Sequence, residues 1–330
     1  MSKKIAVLGA GAWGTALAIS LAARHEITLW TRSSEQSAEM ARLRINARYL
    51  PGFALPESIC LEHSVETTLK QAEMALVVVP TAGLRPLLRE IAASGIKVPL
   101  IWACKGFESG TMKLPHEVFH EELADRVPCG VLSGPSFAQE VAAGQPAALT
   151  LASTASAFAR DAAALIHSSR LRVYSSDDVI GVEVGGAVKN VMAIAAGISD
   201  GMGFGFNARA ALITRGLAEM TRLGMALGGK LETFMGLTGA GDLILTCTGD
   251  LSRNRSVGLK LAQGLSLEKV LNELGHIAEG VFTAREVQSL ARQMQVEMPV
   301  TEAVCKVLYE GLPAKSAVEA LLNREQKAEN

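Results

Sequence analysis

Near the N-terminus, Gly9-Ala10-Gly11-Ala12-Trp13-Gly14 sets three glycines at the spacing G-x-G-x-x-G. An apolar run, 5–8, precedes them, and a stretch of helical length and composition, 12–23, follows. In that context the first glycine allows a tight turn, the second lets backbone approach a pyrophosphate, and the third lets helix pack on strand. Ala12 opens a helix whose unpaired N–H groups and partial positive charge favour phosphates. Where the next strand ends, an acidic residue would bind the ribose hydroxyls of NAD and repel the extra phosphate of NADP. The chain has Trp30-Thr31-Arg32-Ser33-Ser34 there. A guanidinium and hydroxyls suit a 2′-phosphate, so Arg32 predicts that NADP is accepted while NAD is not excluded.

Five further stretches carry groups able to bind or protonate an anionic substrate. Lys105 follows the apolar run 98–103, and the turn Ser133-Gly134-Pro135-Ser136-Phe137-Ala138 follows another strand signal. Ligands of open α/β sheets bind beyond the carboxyl ends of strands, although either segment could equally be a plain surface loop. Lys189 stands alone in the apolar, glycine-rich segment 183–193. It either snorkels to solvent or is desolvated, and desolvation would fit its amine for proton transfer near neutral pH. Asp242, after the glycine cluster 236–241, could hold a hydroxyl or that lysine. Ser252, Arg253 and Asn254 form a compact donor set suited to a phosphate, though such clusters are commonly solvated loops. The histidines have no partner at catalytic or metal spacing.

The elements that must position these groups follow from patterning. Strand signals at 5–8, 27–30, 74–79, 98–103, 130–132, 147–151 and 171–174 alternate with helical stretches such as 84–93 and 155–167. That predicts an α/β Rossmann domain with a doubly wound, mostly parallel sheet covered by helices on both faces. After about residue 181 the strand signals stop. Ala/Leu/Met-rich segments at 182–198, 208–227, 267–274 and 284–294 predict an all-α domain, giving 1–180 and 181–330 as the two domains.

Composition bounds the remainder. The 330 residues carry 32 Lys plus Arg against 33 Asp plus Glu, so no global field draws the chain to nucleic acid. Five scattered cysteines without a CxxC or Cys/His cluster support neither a disulfide framework nor a metal site, and fit a reducing compartment. Lys3 and Lys4 before the uncharged stretch 5–23 imitate a secretory signal, but the glycine spacing inside it argues for a cytoplasmic chain. The uncharged stretch 141–159 is broken by Pro146 and several hydroxyls, so no integral membrane segment is expected.

Taken together, GAGAWGTALA (9–18), ACKG (103–106), SGPSFAQE (133–140), GGAVKN (185–190), NARAALITRGLAEM (207–220), TGAGDLILTCT (238–248) and SRNR (252–255) cover nearly the whole chain. In these motifs the sequence resembles the bacterial-type NAD(P)-dependent glycerol-3-phosphate dehydrogenases. The resemblance implies a Rossmann domain, a helical domain and an active site in the cleft between them. It puts Lys189 at the family's proton acceptor. Ala12, Trp13, Arg32, Lys105, Ala138, Arg253, Ile277 and Glu279 fall with the glycine turn on cofactor-contacting positions. Lys105, Gly134, Ser136, Lys189, Asp242, Ser252, Arg253 and Asn254 fall on positions contacting the phosphorylated substrate. Ala12 stands where serine is common, Ser136 where threonine is also used, and Arg32 where histidine or arginine occurs. Hydride would pass between C2 of sn-glycerol 3-phosphate and the nicotinamide while Lys189 handles the hydroxyl proton, tuned by Lys105 and Asp242. The physiological direction implied is toward glycerol 3-phosphate for phospholipid synthesis. Assembly stays open, with a homodimer as the candidate. A β-hydroxyacid dehydrogenase or a non-catalytic dinucleotide sensor are the competing readings.

Overall fold

The computed structural model describes residues 2–124, 126–275 and 278–323. The chain separates into two compact units, Met1–Lys105 with Lys113–Glu183, and Gly106–Met112 with Val184–Asn330.

The first unit is built on strands β1 (Lys4–Leu8), β2 (Glu26–Trp30), β3 (Ile45–Asn46), β4 (Leu50–Ala54), β5 (Cys60–Glu62), β6 (Met74–Val77), β7 (Leu100–Trp102), β8 (Cys129–Ser133), β9 (Ala147–Ala152) and β10 (Leu171–Ser176). Eight of them form one sheet in the order β10-β9-β8-β7-β6-β1-β2-β5, while β3 and β4 make a separate antiparallel ribbon. Strand β1 shows why the inner strands read as unbroken apolar runs. Ile5 and Val7 pack on one face with Leu17, Leu21 and Ile166, whereas Ala6 and Leu8 pack on the other with Leu84, Leu88 and Phe119. Both faces are therefore covered by helices, as the alternating pattern predicts.

All neighbouring pairs are parallel except β8 and β9. The reason lies in the connection between them. Its only helix, Ala138–Ala142, has 5 residues, which at about 1.5 Å per residue is too short to return the chain along a strand rising roughly 3.3 Å per residue. Strand β9 must then start from the edge where β8 ended. The ribbon and edge strand β5 were not expected, because these short, half-exposed segments carry no apolar run.

The helix Val179–Gly201, whose residues from Val184 on belong to the second unit, is long and apolar enough to cross a membrane by length and composition. Its most apolar window is 94% buried, which makes it the core helix of a folded body. Helix Arg253–Ala262 crosses it backbone to backbone. A Cβ on Gly197 would lie 2.0 Å from the Arg255 carbonyl oxygen, and one on Gly258 would lie 2.0 Å from that of Ile194. The segments Leu231–Met235, Leu237–Gly241 (a π-helical turn), Asp242–Thr248, Pro299–Tyr309 and Ala314–Leu322 add helices that the sequence patterning had not marked.

Pro299 opens its helix without a side-chain cap from the preceding residue. A carboxylate from helix Gly205–Ala226 substitutes: Glu219 accepts from Val300 N at 2.6 Å and from Thr301 N and Oγ1 at 3.2 Å each. Burial pushes this carboxyl from 4.5 up to about 7, against the opposing pull of those donors. A folded-state value above the unfolded one means the native state holds the extra proton between the two. Stability from this group is thus fully present below about pH 4.5 and is lost as pH rises through about 7, by about 3 kcal/mol in all. Denaturant unfolding of wild type and Glu219→Gln at pH values across that window should show the slope in wild type only. Equal slopes would contradict this account.

Candidate active site

The expected residues are found in both units. In the first, the three glycines differ in what surrounds them. Gly9 has φ +126°, and a Cβ there would lie 2.5 Å from the Val78 carbonyl oxygen. A Cβ on Gly14 would lie 1.9 Å from the Gly9 oxygen, so helix and strand touch there. Around Gly11 nothing lies within 4 Å of such an atom. No side chain caps helix Ala12–Ala22. A helix start without a side-chain cap, with open space beside Gly11, fits the pyrophosphate of a dinucleotide. The turn is braced from behind by groups that sequence reading missed. Buried Asn46 donates to the Ala10 carbonyl at 2.9 Å and to Thr15 Oγ1 at 2.8 Å, and Gln36 Nε2 donates to the same carbonyl at 3.1 Å. No local pattern marks either residue.

Trp13 and Ala138 pack together against Ala16, Leu50 and Val141. Arg32 is exposed just beyond β2, beside Ser33, whose hydroxyl caps the next helix by accepting from Gln36 N at 3.2 Å. Beyond β7 and β8 a second cluster forms. Lys105 Nζ and Ser136 Oγ both donate to the Gly134 carbonyl, each at 3.0 Å. Lys105, Gly134 and Ser136 are thus brought together.

The second unit holds the lysine in question. Lys189 is buried, with its side chain only 8% exposed, and does not snorkel. Its Nζ donates to Asp242 Oδ1 at 2.8 Å and to Thr246 Oγ1 at 2.9 Å. Thr246 in turn donates to the Asp242 carbonyl at 2.6 Å. Asp242 starts the helix Asp242–Thr248, so Thr246 sits one turn on, and that i+4 spacing was the signal that could have found it. Gly185 makes the arrangement possible: a Cβ there would meet the Thr238 carbonyl oxygen at 2.5 Å and push the π-helical turn away. Burial holds the nearby Cys247 thiol up at about 12, so no thiolate competes as a nucleophile.

Ser252 caps helix Arg253–Ala262, accepting from Arg255 N at 3.2 Å. Asn254 Nδ2 donates to Asn190 Oδ1 at 2.9 Å, and its Oδ1 accepts from Gly280 N at 2.9 Å. Asn190, adjacent to Lys189, was not singled out from the sequence. Desolvation lowers the Arg253 guanidinium from its ordinary value, and the charge of Glu279 opposes that shift. Ser252, Arg253, Asn254 and Glu279 are therefore neighbours, while Ile277 lies outside the described residues.

Two family models match. The N-terminal model of the NAD-dependent glycerol-3-phosphate dehydrogenases covers residues 4–159, and the C-terminal model covers 178–319. The chain belongs to this family. A relative from Nitrosospira multiformis, named glycerol-3-phosphate dehydrogenase (NAD(P)+), is 65% identical over 330 residues, 99% of each chain. The crystal structure of a glycerol-3-phosphate dehydrogenase from Coxiella burnetii superposes with a TM-score of 0.94 at 43% identity, over 98% of this chain and 99% of that one. A yeast enzyme of the same name, from Saccharomyces cerevisiae, gives a TM-score of 0.82 at 28% identity, over 97% and 99%. Membership makes NAD(P) the cofactor of this dehydrogenase.

The glycines separate binding from folding. Gly11 has an ordinary φ of −78° and open space beside it, so Gly11→Ala should keep the melting temperature within a few degrees. Its methyl would stand where the pyrophosphate must approach, raising the KM for NADPH on the order of tenfold or more. Gly14→Ala should instead destabilise the fold by roughly 1–3 kcal/mol. Melting curves and cofactor titration of both variants distinguish the two, and normal NADPH binding by Gly11→Ala would refute the assignment.

Proposed function

We propose that this chain reduces dihydroxyacetone phosphate reversibly to sn-glycerol 3-phosphate, with Lys189 as the proton-transfer group. The observation that carries this is the buried Lys189 amine, held by Asp242 and Thr246. A bound nicotinamide would supply or accept the hydride. The glycine turn would hold its pyrophosphate on the first-turn amides of Ala12–Ala22, with Trp13 and Ala138 beside it. Arg32 would favour NADP through its 2′-phosphate without excluding NAD.

The remaining steps belong to the protein. Lys189 Nζ donates a proton to the C2 oxygen as negative charge develops there, and takes it back in the oxidative direction. Asp242 and Thr246 fix the direction of that amine. Arg253, the Ser252 hydroxyl and the second amide hydrogen of Asn254 bind the substrate phosphate. That remote binding energy orients the carbonyl. Lys105 and Ser136 add donors from the strand ends of the sheet. We place the enzyme in the cytoplasm, feeding phospholipid synthesis. Five scattered cysteines without a CxxC or Cys/His cluster support a reducing compartment. A homodimer is the assembly proposed.

Loss of NAD(P)H absorbance on adding dihydroxyacetone phosphate tests the reaction. Turnover of a hydroxy acid with no turnover of the phosphorylated ketone would favour a β-hydroxyacid dehydrogenase instead. Absence of turnover on either would favour a dinucleotide sensor. Lys189→Ala should cut turnover by a factor on the order of 10² to 10⁴ and leave NADPH binding intact. Wild-type turnover in that variant would remove Lys189 from its role.

A further inference from the structure

One carboxylate outside the site described above sits in an unusual position. Glu183, on helix Val179–Gly201, has a side chain with no solvent exposure. Its Oε1 accepts from Trp102 Nε1 at 2.7 Å and from the His116 backbone N at 2.9 Å, and its Oε2 meets His116 Nδ1 at 2.5 Å. Trp102 is the last residue of β7, and His116 is the second residue of helix Pro115–Leu123. The chain between them, 103–115, contains Lys105. Its departure and its return are therefore tied to a single side chain.

The sheet alone holds only the start of this excursion. Ala103 N donates to the Val77 carbonyl at 2.9 Å, and no strand follows until β8. Segment Gly106–Met112 groups with the second unit, so the stems carry the constraint that the first unit can offer. On the return side Pro115 occupies the first helical position, and Glu183 supplies the acceptor for the His116 amide that a local cap would otherwise take. A fully desolvated carboxylate is costly, and it persists only where several donors converge. An apolar residue would fill the same space without ordering either stem.

We infer that Glu183 is a positioning residue for Lys105, clamping both stems of the loop that delivers this lysine to the Gly134 carbonyl. The inference rests on the proposed role of Lys105 in substrate binding. Glutamine keeps an acceptor for Trp102 and the His116 amide and can donate to His116 Nδ1, so it is the conservative replacement. Leucine removes every acceptor.

The test compares Glu183→Leu and Glu183→Gln, each alone and combined with Lys105→Ala. Glu183→Leu should lower kcat/KM for dihydroxyacetone phosphate on the order of ten- to a hundredfold, chiefly through KM, with KM for NADPH nearly constant. Glu183→Gln should stay within about threefold of wild type. In the Lys105→Ala background the leucine substitution should cost nothing further, since the lysine through which it acts is gone. Amide hydrogen exchange over 103–115 should accelerate in Glu183→Leu and not in Glu183→Gln. If Glu183→Leu does not fold, Trp102→Phe removes one of the donors and should show the same pattern at smaller size. Equal cost in both backgrounds, or a lowered melting temperature with wild-type kinetics, would overturn the inference. Wild-type substrate kinetics in Lys105→Ala alone would instead remove the reading on which it rests, and the inference with it.

Discussion

An ammonium held 2.8 Å from a carboxylate, both nearly closed to solvent, governs the layout of the helical unit. Desolvating two charges costs several kcal/mol per ion, and well-packed apolar residues of similar volume are often as stable or more stable by about 1–4 kcal/mol. Stability therefore does not explain Lys189 and Asp242. Removing one partner, by contrast, strands a charge at a cost of roughly 3–5 kcal/mol, so once present the pair binds its two elements together. Much of the surrounding sequence serves that approach. Gly185 clears the way for the π-helical turn, the turn ends on Asp242, and Thr246 returns one helical turn later to accept from the amine. What the pair provides is a charged nitrogen with a fixed direction, which suits proton transfer and which an apolar core cannot supply.

Three buried glutamates follow a related rule at the seams between elements. Glu219 caps Pro299–Tyr309 from a neighbouring helix, and Glu183 caps Pro115–Leu123 from another. Glu286 accepts from Ser109 Oγ and Gly110 N, each at 3.2 Å. In each case the backbone amides of a helix start or loop lack a local acceptor, and a distant glutamate supplies one. Long-range caps of this kind join segments far apart in sequence: 81 residues separate Glu219 from Val300, and 67 separate Glu183 from His116. They specify which elements meet, whereas apolar packing specifies mainly that something must.

The same distinction explains what could be read from the sequence. The glycine turn was legible because its three requirements (a positive φ, an open approach, a close packing contact) are met by neighbours in the chain or by the adjacent strand. Inner strands were legible for a similar reason, since burial on both faces leaves an unbroken apolar run. Lys189 was singled out by its isolation in an apolar segment, but its counter-ion could only be named as one option for Asp242. Asn46, Gln36, Asn190 and Glu183 gave no signal, because their roles depend on partners 26 to 81 residues away. The reversal of β9 was equally hidden: it turns on the length of one helix, and composition does not report length.

The charge balance of −1 leaves this chain without a field to attract phosphates, so its anion sites must be built from local donors. Three of the four cations proposed to meet a ligand already have an acceptor or counter-charge within the protein. Lys105 donates to the Gly134 carbonyl, Lys189 to Asp242, and Arg253 lies in the field of Glu279. Such holding reduces the rotamer freedom that a long side chain would otherwise lose on binding, about 0.5–1.5 kcal/mol per side chain. It also leaves capacity for a ligand, because an ammonium has three donors and a guanidinium five. A near-neutral protein with pre-aimed cations would thereby gain selectivity, where a strongly basic one would attract polyanions of any shape.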